Sequence, residues 1–317
     1  MTAPLTVNDL RGQPRRRRKE ATVRALFLTA AVLSLAITTA IIVVLAIDSY
    51  RFLDIVGFSS LIGDQWNPRS GFYDVRTIIV GTLQVAAVAI VVATPLSLGA
   101  AVYLSEYAPN SVRRVVKPAI EVLAGIPSVV LAFFTLNFLS PNVVQTLFGG
   151  DTPKANILAA GLGVGVLIIP LITSVTEDAL RSVPDSLREA SVGVGAKKVT
   201  TTVRVVLPAA LSGIVAAMIL GISRAIGETL VVTLAAGATS FARWPGAEGA
   251  ANLLYGSYLD QGLTMTGAMA NLINRGDTPI EPGSKESLYF IGMVLFVITL
   301  TLNLLADRVV RRFQNRY

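Results

Sequence analysis

Arg224 and Glu228 stand four residues apart inside the apolar run Ala209–Ala236, in the stretch Ser223-Arg224-Ala225-Ile226-Gly227-Glu228-Thr229. Ionisable side chains within a membrane-length run are expensive and normally face a bundle interior or a wet cavity. On a continuous helix, a spacing of four puts both on one face. A guanidinium offers a fixed fork of donors to phosphate-like oxygens. A carboxylate repels an anion unless that anion has a proton to donate. Near neutral pH phosphate keeps a P–OH, whereas sulfate is fully ionised. Glu228 would therefore accept from phosphate and discriminate against sulfate by repulsion and an unmet acceptor. The pair is expected to line a translocation route for an oxyanion. The alternative is an ion pair that only neutralises both charges, or a pairing of one residue with another subunit.

Other chemistries are excluded by composition. The chain has no cysteine and no histidine, which removes disulfides, thiolate chemistry and zinc or haem sites built on those ligands. It has no Gly-x-x-x-x-Gly-Lys-Ser/Thr phosphate loop, so ATP hydrolysis is expected on another subunit. No catalytic residue, cofactor or metal site is expected on this chain.

A second constellation joins Glu189-Ala190-Ser191-Val192-Gly193-Val194-Gly195 to Val205-Val206-Leu207-Pro208. It lies in a polar break between two apolar segments. Glu189–Val194 can form a short helix, Gly195 permits a turn that a side chain would resist, and Pro208 suits the start of the next helix. The expected product is a helical knob built on Glu189, Ala190, Ser191, Gly195, Leu207 and Pro208 and suited to fit a groove on a partner. The alternative is an amphipathic helix lying on the bilayer.

The elements that position these residues are long apolar segments. More than half of the residues are hydrophobic, gathered into runs. About 20 apolar residues cross roughly 30 Å of hydrocarbon, and in lipid such segments must be helices. Six are expected, near 25–47, 77–104, 115–139, 157–174, 209–236 and 288–305. The fold class is therefore an all-α integral membrane protein with one polytopic membrane domain over 25–306. A disordered basic tail is expected over 1–24, a polar loop carrying the knob over 177–208 and a basic tail over 307–317. The first segment is too long for a usual signal-peptide core and has no clear cleavage site after it, so it reads as a retained helix.

The net charge of +7 follows from topology and does not require nucleic acid. Nineteen of the 27 basic residues cluster before the first segment, at Arg113-Arg114 and Lys117, in the knob loop, and after the last segment. With six spans these groups fall on one side, and the positive-inside bias places them, with both termini, in the cytoplasm. The opposite loops, Asp48–Arg76 and Thr239–Ser287, are slightly acidic. They read as a platform for an external partner or as a structural cap. The second holds Trp244-Pro245-Gly246 and a semi-apolar stretch at Leu263–Ile273. Pro95, Pro127 and Pro170 lie inside expected spans, and Gly221 and Gly227 would let helices approach closely. Glu121 is expected to reach interface water or to pair with Lys117.

The knob spacing resembles the EAA loop of ABC importer permeases. Further blocks narrow the resemblance: Trp66-Asn67-Pro68, Thr94-Pro95-Leu96-Ser97-Leu98-Gly99, Glu121 to Val130 with Ala124-Gly125-Ile126-Pro127-Ser128, and Ser223–Thr229. With these, most of the chain beyond residue 50 is similar to the PstC-type permease subunits of bacterial phosphate-specific ABC importers. Ser191 departs from the general motif, which has Ala there; it is small, so the knob should survive. The resemblance implies a type I ABC importer permease fold in the bacterial cytoplasmic membrane. It implies a sister permease resembling PstA, two copies of an ATPase resembling PstB that bind ATP and Mg, and an extracytoplasmic phosphate-binding protein resembling PstS. Inorganic phosphate would be the substrate, with Arg224 and Glu228 implicated in its transport.

Overall fold

The structure is a computed structural model that describes residues 14–63, 65–237, 258–274 and 282–314. Four uninterrupted helices correspond to expected spans: α1 (Pro14–Val56), α2 (Val75–Tyr107), α5 (Ile157–Arg181) and α11 (Glu286–Gln314). The helix α1 begins at Pro14, so residues 14–24 continue it where a disordered tail is expected. Arg, Lys, Glu and Ala are all good helix formers, which favours that continuation. Residues 1–13 and 315–317 lie outside the described residues.

Two expected spans are arranged differently. The third was placed at 115–139, but Asn110–Ala124 forms a separate amphipathic helix, α3. Gly125 and Pro127 follow it, and the apolar span α4 runs from Ser128 to Phe148. Pro127 thus precedes a helix instead of kinking one, as suits a residue without an N–H to donate. The fifth expected span is broken at both ends. The helix α7 (Lys198–Ala209) meets α8 (Leu211–Gly227) at a bend of 69°. A second break at Glu228-Thr229 separates α8 from the short α9 (Leu230–Ala235). Among the described residues five helices are long and apolar enough to cross a membrane, or six if the bent pair counts as one span.

The bundle packs chiefly through small residues. Ala86, Ala89 and Ala93 of α2 are buried against Ala160, Val164 and Ile168 of α5, with Ala217 and Ala225 of α8 completing the centre. Helices in membranes gain little from apolar burial itself, and close backbone approach gives them contact instead. Gly221 fits this rule, since a Cβ there would lie 2.5 Å from Cδ1 of Ile172. Gly227 does not, because nothing would meet its Cβ within 4 Å; it ends α8 instead.

At the end remote from the knob, a hairpin of β1 (Trp66–Asn67) and β2 (Phe72–Tyr73) pairs Trp66 with Tyr73. Both rings are buried, with Phe52 of α1 edge-on to Tyr73 at 5.2 Å. The loop 48–76 is thus a packed structural cap at its centre. The Leu263–Ile273 stretch does form a helix, α10 (Met265–Asn274), but its start is threaded into the bundle. Leu263, Thr264, Met265, Thr266 and Ala268 are buried. The amides of Ile157 and Leu158, which α5 cannot satisfy itself, donate to the carbonyls of Asp260 and Tyr258 at 3.1 and 2.8 Å. Trp244-Pro245-Gly246 lies outside the described residues.

Gly81 of α2 makes this insertion possible, because a Cβ there would stand 2.3 Å from the carbonyl oxygen of Leu263. Gly81→Ala should displace the inserted segment and cost about 1–3 kcal/mol through overpacking. Gly99→Ala on the same helix meets nothing within 4 Å and serves as the control. Thermal melting of the purified variants should show a loss for the first only.

Candidate functional site

The knob is built by helix-capping chemistry. Its first helix, α6, covers Asp185–Gly193, with Asp185 in the first turn, where a negative charge complements the helix dipole. The turn closes with Val194 N–H donating to Ala190 O at 3.2 Å and Ala196 N–H donating to Ser191 O at 3.1 Å. Gly195 sits between them at φ +83°, the left-handed geometry that favours glycine. Lys197 then leads into α7, and Ser191 Oγ lies 2.9 Å from Thr201 Oγ1, tying the two helices together. Glu189, Ala190 and Gly195 are exposed, and so are Val192, Val194 and Val199 at the tip. An apolar tip with a polar flank suits a groove on another protein.

Leu207 and Pro208 are half-buried at the base of the knob. Pro208 was expected to start the membrane helix, but it occupies the last turn of α7, and α8 begins only after Ala210. The turn before it, Thr202–Val206, is widened to π-helical geometry. Such a turn is a common insertion within α-helices, frequently at functional sites. Here it precedes the missing N–H of Pro208, and the chain then bends.

Arg224 and Glu228 do not share a helix face. The helix α8 ends at Gly227, and Glu228 has extended geometry with φ −68° and ψ 129°. Its side chain turns back, with Oε1 accepting from the amide of Val231 at 3.5 Å, a long N-terminal cap for α9. Glu228 is 6% exposed, whereas Arg224 is exposed and makes no ion pair or hydrogen bond among the described residues. Neutralisation of one by the other is therefore not what this arrangement provides.

The surroundings of Glu228 include residues that sequence reasoning missed. Thr266 Oγ1 donates to the carbonyl of Glu228 at 2.8 Å, satisfying the group freed by the helix break. Thr264 Oγ1 caps α10 through the amide of Gly267 at 3.1 Å, and Thr82 Oγ1 accepts from Met265 N–H at 2.9 Å. A signal was present in the Gly-Leu-Thr-Met-Thr-Gly run, where hydroxyls alternate with apolar residues. Its proximity to Glu228 depends on contacts distant in sequence.

A second missed feature lies near the knob. Glu177 of α5 is 1% exposed in its side chain and pairs with Arg113 and with Lys117, the latter at 2.6 Å. Lys117 also reaches Asp178 at 2.7 Å, so it does not need Glu121, which is exposed. Burial works against the charge of Lys117. The carboxylates of Asp178 and Glu177 outweigh that effect and hold its pKa above the ordinary 10.5. This contribution is complete below about pH 10 and fades as rising pH carries Lys117 through its raised pKa. Among the described residues no cluster of acidic side chains could hold a metal ion.

A polytopic helical bundle with a protruding capped knob and an inserted, hydroxyl-lined helix break defines a membrane permease subunit. Residues 93–317 match the family described as binding-protein-dependent transport system inner membrane component, and the chain belongs to that family. It is 30% identical to the phosphate transport system permease protein PstC of Mesorhizobium japonicum, covering 94% of this chain and 95% of that one. It is 31% identical to the PstC of Haemophilus influenzae over 90% of each chain. It is 32% identical to the probable ABC transporter permease protein YqgH of Bacillus subtilis, over 87% of this chain and 86% of that one. Among solved structures, a bacterial ABC transporter involved in the import of alginate aligns with TM-score 0.63 at 15% identity, covering 94% of this chain and 98% of that one. That likeness bears on the fold, which is that of an ABC importer permease. The protein is a multi-pass inner-membrane transport subunit, not itself an ATPase.

The Glu177 cluster yields a direct test. Glu177→Ala leaves Arg113 and Lys117 facing an empty buried position and should cost about 3 kcal/mol. Asp178→Ala removes a partner whose side chain is 65% exposed and should cost less than about 1 kcal/mol. Melting of the purified variants below pH 9 checks the order.

Proposed function

We propose that this chain is the membrane-spanning permease subunit of an ATP-driven importer of inorganic phosphate, forming half of its translocation pathway. One observation carries the reading. Arg224 is exposed and, among the described residues, unpaired in an apolar helix, one turn before a break occupied by the buried Glu228. At 1.5 Å per residue Arg224 lies about 20 Å along α8, a depth at which a cation must face water or protein. A guanidinium one turn before the helix break, with a carboxylate able to accept a P–OH proton, suits hydrogen phosphate better than sulfate. The PstC names of its relatives support the same substrate class.

The rest of the machine is proposed with it. A sister permease resembling PstA completes the pathway across from Arg224. Two copies of an ATPase resembling PstB bind ATP and Mg and receive the knob through Glu189, Ala190, Ser191 and Gly195, with Leu207 and Pro208 at its hinge. A phosphate-binding protein resembling PstS delivers substrate at the hairpin end. The clustering of basic residues supports a cytoplasmic knob and cytoplasmic termini. ATP binding favours one of two bundle arrangements by contacting the knobs differently in each, and hydrolysis resets them.

The test is uptake of radiolabelled phosphate by cells lacking their own phosphate importers and supplied with all four components. Uptake should require every component and ignore excess sulfate. Arg224→Ala should lower it about 10–100-fold, the equivalent of losing one charge-assisted hydrogen bond or two. Glu228→Gln should weaken phosphate uptake and admit sulfate as a competitor. Normal phosphate uptake with unaltered sulfate exclusion in Glu228→Gln would remove Glu228 from the pathway.

A further inference from the structure

The cytoplasmic end of α2 closes with the run Tyr103-Leu104-Ser105-Glu106-Tyr107, a π-helical turn completed by Ala108 N–H donating to Tyr103 O at 2.8 Å. Widened turns of this kind re-aim side chains and recur at functional sites. Here the two consecutive residues at its end reach the two halves of the knob. Glu106, 7% exposed in its side chain, accepts from Nη2 of Arg188 at 3.0 Å. Tyr107 lies beneath the ammonium of Lys198, 5.1 Å from its ring centroid. Arg188 belongs to α6, and Lys198 is the first residue of α7.

Arg188 is engaged on both terminal nitrogens. Its guanidinium donates to the carbonyls of Val183 and Leu180 at 2.6 and 2.8 Å, and to Asp185 at 3.1 Å. Those carbonyls belong to the end of α5 and the link to α6. Arg188 thus joins α2, α5 and α6 through one rigid, planar group, a geometry that Lys cannot reproduce. A knob held only by its own backbone would swivel at Ala210 and at the Ser182–Pro184 link.

We propose that Glu106 and Tyr107 are positioning residues that clamp the knob to α2, with Arg188 and Lys198 as their counterparts. The clamp makes the knob and the ends of α2 and α5 move as one body. A displacement imposed on the knob then reaches α2, the helix whose opposite half carries Gly81 and Thr82 against the segment beside Glu228. This rests on the permease reading above and adds to it the residues that carry the coupling.

The test uses the full chain in the four-component complex, measuring phosphate uptake and ATP hydrolysis on the same preparations. Glu106→Gln should still assemble with the ATPase and hydrolyse ATP, but move at least about tenfold less phosphate per ATP, as loss of a charged hydrogen bond would. Tyr107→Phe keeps an aromatic face for Lys198 and should retain coupling, whereas Tyr107→Leu should lower it. The absence of native cysteine allows a second measurement on the chain alone in lipid nanodiscs. Nitroxides on Val194→Cys and Val115→Cys should report one narrow distance that broadens with Glu106→Gln. Unchanged phosphate per ATP in Glu106→Gln, or uptake that falls only in step with assembled complex and hydrolysis, overturns the clamp. An unbroadened distance overturns it also. If the unaltered complex gives no ATP-dependent uptake, the permease reading fails on its own, and the nitroxide distances still decide whether Glu106 holds the knob.

Discussion

A peptide group inside hydrocarbon has no water to bond, so a helix can be interrupted there only where the protein supplies the missing partners. The arrangement around Glu228 depends on that constraint. The break frees the Glu228 carbonyl, and Thr266 donates to it. The last carbonyls of α9 and its exit, those of Ala235 and Ala236, are met by the amides of Asn156 and Gly262. The first amides of α5 are met by Tyr258 and Asp260. One inserted segment thus serves two helix ends and a helix break at once. Its entry in turn requires the bare backbone of Gly81. Remove any of these and the irregular backbone beside Glu228 loses its warrant to lie at that depth.

The knob end obeys a different balance, because charges there can be paired and partly wetted. Glu177 is almost wholly buried but has Arg113 and Lys117 against it and Arg181 at 4.0 Å, and a buried charge is tolerated only with such compensation. These contacts fix α3 against α5, while the Arg188 contacts fix α6 against α5 and α2. The helices that form the core of the membrane bundle are therefore the ones gripped at the knob end. The knob's outer surface combines exposed Ala190, Val192, Val194 and Gly195 with the exposed charges of Glu189 and Lys197.

Much of this was legible in the residues, and the limits are physical. Membrane spans are written in composition, because hydrocarbon thickness sets their length; α1, α2, α5 and α11 follow from it. The knob was legible because glycine at φ +83° and a capped turn are local features. The breaks in the fifth span were not. A run from Ala209 to Ala236 reads as one helix when only hydropathy is weighed, and the groups that stabilise its interruption come from Thr266 and Val231. The amphipathic α3 was absorbed into the third span for a similar reason, since Gly125-Ile126-Pro127 is apolar yet ends a helix. Arg224 and Glu228 were found by their cost in lipid, but their relation was misjudged because a four-residue spacing implies a shared face only on an unbroken helix.

The exposed surface of the chain is of two kinds, and the difference locates what it must meet. Along α1, Leu26, Phe27, Val32, Leu33 and Ile37 are exposed, and acyl chains cover such side chains without penalty. Arg224 is exposed within an equally apolar helix, and acyl chains cannot cover it at comparable cost. Snorkelling to the interface offers no escape for a residue about 20 Å along its helix. The Arg224 side of α8 therefore cannot be a lipid face. It must border water or a second protein, and Ser223 beside it already donates to Asn303 of α11 at 2.9 Å, extending that polar strip to a second helix. Among the described residues nothing covers that strip, and the proposed role of α8 as one wall of a pathway rests on it.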